Sequence, residues 1–79
     1  MNMYWLEDAE GKVVIPQGQL IDVINRAVEL AYEECLGLRK VVVFQQQLTQ
    51  HNNFVVGVHE AQGIHTFIPM YFIRENKHA

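Results

Sequence analysis

The chain carries a single cysteine, Cys35, so no internal disulfide can form, and neither a CxxC redox pair nor a paired-cysteine zinc site is available. Its five glycines stand singly at positions 11, 18, 37, 57 and 63, which leaves no glycine-rich loop to cradle a phosphate. No apolar run approaches the ~18 residues a membrane-spanning helix needs, and no membrane association is expected. The opening MNMYWLEDAEGK has no basic stretch leading into an apolar run and a small-residue cleavage site. A cytoplasmic location is the resulting expectation. Positive charge is scarce, with six Lys and Arg against nine Asp and Glu, so nothing draws the chain generally to phosphate backbones or anionic membranes. Charge of either sign nearly vanishes between Val41 and Ile73, where Glu60 is the one formally charged residue at neutral pH.

What is present is apolar and ordered in pattern. Residues 1–79 are 49% hydrophobic, which is enough for one small folded domain and too little chain for a second core. Met1–Leu6, with Tyr4 and Trp5, precedes the acidic Glu7–Gly11 turn, and Lys12–Ile15 follows as a short β-branched run before Pro16. The two runs are expected to form a hairpin. From about Gln17 to Leu36 the apolar period becomes helical, with Leu20, Ile24, Ala27, Val28, Ala31 and Cys35 on one stripe, Ile21 and Leu30 widening it, and Tyr32 at its edge. Asp22, Arg26, Glu29 and Glu33 take the other side, an Asp22–Arg26 pair is expected at i,i+4, and Gly37 is placed to cap the end.

Beyond the helix the pattern has period two. Val41–Thr49, Phe54–His59 and Ile64–Ile73, separated by turn-forming stretches at Gln50–Asn53 and Glu60–Gly63, are expected to form an antiparallel meander. Pro69 cannot donate to a ladder, so it requires an edge, a bulge or a break, with an edge strand the simplest solution. Arg74–Ala79 is expected to fray. The fold class is therefore α+β: one amphipathic helix on an antiparallel sheet, in the order ββαβββ.

A helix covers one face of a sheet, and these strands are apolar on both. The second face needs a cover: the Tyr4–Trp5 segment, a second copy of the chain, or another protein, and pairing through exposed strand edges would serve the same end. One alternation set, assigned to the face away from the helix, is Val42, Phe44, Val56, Ile68, Met70 and Phe72; the complementary set is Val41, Val43, Val55, Phe67 and Tyr71. A small non-enzymatic interaction or regulatory module, working as a homodimer, is the expected function.

Other chemistry is weakly signalled. His59 and His65 with Glu60 flank one turn but have no third ligand at fixed spacing, so no metal or other cofactor is expected. Cys35 lies on the apolar stripe, where a small buried hydrophobe is the ordinary role, and Glu29, Glu33 and Glu34 share a wet helix face rather than opposing sides of a cleft. No catalytic residue is expected. The alternative function is nucleic-acid binding through a basic end made of Arg39, Lys40, Arg74 and Lys77, with Phe44, Phe54, Phe67 or Tyr71 stacking on bases.

Overall fold

A computed structural model describes residues 2–35, 40–46, 51–60 and 66–77. The elements are β1 (Met3–Asp8), β2 (Val13–Gly18), α1 (Leu20–Glu34), β3 (Lys40–Gln46), β4 (Asn53–Glu60) and β5 (Thr66–Asn76). They form a five-stranded antiparallel sheet in the order β2-β1-β5-β4-β3, with α1 on one face. Both the expected hairpin and the expected meander are present. Closure comes from β1 pairing with β5 from Met3↔Asn76 to Asp8↔Tyr71.

The β1–β2 turn is built around Asp8. Its Oδ1 accepts the backbone N–H groups of Glu10 and Lys12, its N–H donates to the Lys12 carbonyl, and Gly11 takes the positive φ of 85° that this tight return requires. Across the sheet, α1 buries Val23, Ala27 and Ala31 against Tyr4, Leu6, Val56, Tyr71 and Ile73. Leu20, Ile24, Val28 and Leu30 close the flanks of that core. The helix is shorter at both ends than its apolar period implies. Val23, one i,i+4 step from Ala27, is the fully buried residue the stripe omitted, whereas Ile21 and Tyr32 point outward and are largely exposed. Arg26 pairs with Glu29 rather than with Asp22, and both partners are well exposed. Position 37 lies outside the described residues.

Pro69 is accommodated differently from the simplest expectation. β5 is the third strand of five, not an edge, and a register shift between Val56↔Tyr71 and Gly57↔Pro69 makes Met70 the extra residue of a bulge. β1 reaches only to Tyr71, so among the described residues the Thr66–Met70 half of β5 has a neighbour on one side alone. The missing N–H of Pro69 therefore falls where the ladder is already interrupted. The chain end also departs from expectation: Arg74, Glu75 and Asn76 belong to β5 and pair with β1, and Glu75 is buried.

Candidate functional site: the helix-free sheet face

Directly opposed residues in an antiparallel pair share a face, so the register assigns every strand residue to one side of the sheet. Phe54, Val56 and Ile73 lie in or against the helix-side core, and their partners Gln45 and Val43 fall on the same side. The other face is then read across the strands. One row runs Phe44, Val55, Phe72, Glu7 and Val13 through all five strands; others are Val42, Gly57 and Pro69, and Lys40, His59 and Phe67. Trp5 opposite Arg74, Met3 opposite Asn76 and Gln46 opposite Asn53 complete it.

The expected surface set is thus divided. Val42, Phe44 and Phe72 lie on the helix-free face, whereas Val56 is in the helix-side core, Met70 packs against that core, and Ile68 pairs with Val58 on the helix side. In the complementary set Val41, Val43 and Tyr71 lie on the helix side, but Val55 and Phe67 are on the free face. Two physical causes account for the mixing. Strand pairing, which no single strand displays, fixes the phase of β4, and the Met70 bulge reverses the phase within β5. Tyr4 and Trp5 do not fold over the sheet as a lid; Tyr4 enters the helix-side core, and Trp5 is part of the open face.

The face is held rigid by aromatic and polar contacts. Phe67 meets Phe44 edge to face at 4.9 Å between centroids, which requires its ring to lie over Gly57. A Cβ at position 57 would stand 2.7 Å from that ring and 2.3 Å from the Ile68 carbonyl oxygen, so only glycine fits beneath it. Nearer β1, Glu7 Oε1 accepts the Trp5 indole N–H at 2.8 Å and Oε2 accepts Arg74 Nε at 3.1 Å, while the Arg74 guanidinium lies 5.6 Å from the Phe72 ring centroid. The Trp5 hydrogen bond, assisted by Arg74 and opposed by burial, holds the Glu7 carboxyl below its usual range. Phe44 is 49% exposed, Val55 is buried beneath the aromatics, and Val42, Phe67 and Phe72 are half-buried.

The residues expected to form a basic end are not together. β3 and β5 run parallel across β4, so Lys40, level with Phe67, stands at the opposite end of the sheet from Arg74 and Lys77. Seven residues along β5 and two strand spacings separate it from Arg74, about 25 Å. Arg39 lies outside the described residues, as does His65, which with His59 flanks the Glu60–Gly63 stretch in the sequence. Among the described residues no group of three His, Cys, Asp or Glu converges. Cys35 is half-buried with its sulfur 4.0 Å from that of Met70.

Two further polar features shape the molecule. An open cleft of about 250 Å³ is lined by Asp8, Ala9, Glu10, Glu34, Pro69, Met70 and Tyr71. Two of its three carboxylates have structural partners: Asp8 holds the turn, and Glu34 accepts the Tyr71 hydroxyl at 2.7 Å, burial and that carboxylate together pushing the phenol up to about 12. At the far end of β5, the buried Glu75 carboxylate accepts from Asn2 Nδ2 at 2.9 Å, Tyr4 OH at 3.1 Å and the Asn52 N–H at 3.1 Å. His51 Nδ1 and Lys77 Nζ each approach it to 3.9 Å. Its one sequence signal is that it continues the alternation Tyr71, Ile73, Glu75 into the stretch expected to fray.

No protein-family model matches this chain, and neither a curated protein nor a solved structure is significantly similar to it.

Proposed function

We propose that the protein is a non-enzymatic interaction module that acts through the helix-free face of its sheet, as a homodimer in which the two faces meet. The observation that carries this reading is the face itself, where Trp5, Phe44, Phe67 and Phe72 stand around Val42 and Val55 with no described element above them. Five strands at ~4.8 Å spacing and six or more residues long give a face of about 500–800 Å². That footprint, which takes in Glu7, Arg74, Lys40 and His59 as well as the aromatics, is comparable with the ~800 Å² per partner that a standard interface buries. Of its charged residues, Glu7 and Arg74 neutralise each other and Lys40 lies at the β3 margin, while Asp22, Glu29, Glu33 and Glu34 sit on the exposed side of α1. Two copies can therefore approach face to face without opposing like charges, and a two-fold axis lets one patch satisfy itself.

Sedimentation equilibrium of the wild type and of Phe67→Asp tests the reading. The wild type is expected to self-associate at micromolar concentration, and the variant to lose an association step while retaining its circular dichroism. A folded Phe67→Asp protein that associates like the wild type would refute it.

A further inference from the structure

Among the described residues the sheet has two edge strands, and they are not alike. β2 is blunted: Pro16 removes a donor, two register shifts interrupt its pairing with β1, and Gly18 ends it against Val23. Such features keep an edge strand from accepting another chain. β3 has none of them. Its seven residues, KVVVFQQ, pair with β4 in unbroken register from Lys40↔His59 to Gln46↔Asn53, without proline, glycine or bulge. Among the described residues nothing lies on its outer side. Val43 and Phe44 are 38% and 49% exposed, and Lys40 is the strand's one charged residue. A straight, β-branched, nearly uncharged edge is a template for backbone pairing.

We propose that β3 pairs antiparallel with β3 of a second copy, joining two sheets into one of ten strands. The occupant is a second copy because the strand is self-complementary in sequence as well as in backbone. Full pairing of residues 40–46 with their own copy puts the two-fold axis at Val43. Val43 then meets Val43, Val42 meets Phe44, Val41 meets Gln45, and each lysine lies opposite a glutamine, so no like charges are opposed. The axis runs perpendicular to the sheet and keeps opposed side chains on one face. Both helices therefore lie on the same side, and the two helix-free faces become one continuous surface. This edge goes beyond the face-to-face reading and is independent of it: with both in use the assembly is a tetramer, and with either alone a dimer.

Charge at the axis is the direct test. Val43→Lys and Val43→Glu each place two like charges in direct opposition, while the exposure of position 43 lets either side chain reach water in the monomer. Each variant alone is expected to halve the sedimentation mass reached by the wild type, and an equimolar mixture to restore it. Folded variants that keep the wild-type mass would overturn the proposal, and a mixture that fails to recover would overturn pairing about Val43. A Val43→Cys protein in a Cys35→Ala background removes dependence on charged variants that fail to fold. It is expected to oxidise to a covalent dimer, whereas Ile21→Cys, on the exposed side of α1, does not; no cross-link at position 43 would refute the pairing. If Phe67→Asp lowers the mass and the Val43 charges do not, the face reading stands and the edge falls. The converse leaves the edge and removes the face.

Discussion

Glu75 is the residue whose environment departs furthest from its sequence context. A carboxylate shut away from water favours protonation, and here that tendency is outweighed by the Asn52 N–H, the Tyr4 hydroxyl, the Asn2 amide and the nearby Lys77 ammonium. The folded-state value is therefore lower than the ordinary one of about 4.5. A depressed carboxyl stabilises the fold fully above its unfolded value, and that contribution is lost as pH falls through the folded one. The Asn2, Asn52 and Glu75 contacts tie the start of β1, the approach to β4 and the end of β5 into one knot. Chemical denaturation from pH 6 to pH 3 is expected to show the wild type losing stability below about pH 4.5. Glu75→Gln should start less stable at pH 6 and show a flatter slope. An equal slope in both proteins would mean that another carboxylate dominates acid unfolding.

At the scale of elements, the join between β4 and β5 decides both the stability and the face of the sheet. Gly57 sits where the Met70 bulge brings the Ile68 carbonyl and the Phe67 ring close. A methyl group there cannot be accommodated by moving the ring alone, because the nearest atom is backbone. Gly57→Ala is expected to destabilise by about 2–3 kcal/mol, in the range of overpacked interiors, and to loosen the Phe44–Phe67 contact. Thermal unfolding measures the first effect and near-ultraviolet circular dichroism the second; a variant as stable as the wild type would show that the bulge yields easily. The same join explains why element order was legible in the sequence and the composition of the faces was not. Period 3.6 from Leu20 to Ala31 and runs of period two separated by turn residues locate the elements without any partner. In β4 both faces are apolar, so Val55 and Val56 look interchangeable, and only the pairing with β3 and β5 tells them apart. In β5 alternation carried back from Phe72 through Met70 to Ile68 crosses the bulge and ends on the wrong side.

At the scale of the whole molecule, charge is segregated from the surfaces proposed to associate. The helix exposes Asp22, Glu29, Glu33 and Glu34 with Arg26, the β1–β2 turn carries Asp8, Glu10 and Lys12, and the open face holds only the closed Glu7–Arg74 pair, with Lys40 at its β3 margin. That separation was partly visible in the sequence as the uncharged stretch from Val41 to Ile73. The closing pair β1–β5, which brings Glu7 to Arg74, depends on residues far apart in the chain and left no local trace. The consequence is a definite salt response. Two copies of net charge −3 repel weakly at long range, and the repulsion fades as the screening length shrinks from about 14 Å at ~50 mM salt to about 4 Å at ~500 mM. Apolar burial and backbone pairing do not depend on opposite charges and strengthen slightly in salting-out ions. The association constant from sedimentation is therefore expected to stay level or rise up to about threefold over that range. Binding carried by phosphate contacts would behave oppositely, weakening by orders of magnitude over a smaller span of salt. A self-association that weakened more than about tenfold between those conditions would place ion pairs in the interface. Neither the sheet face nor the β3 edge would then account for it.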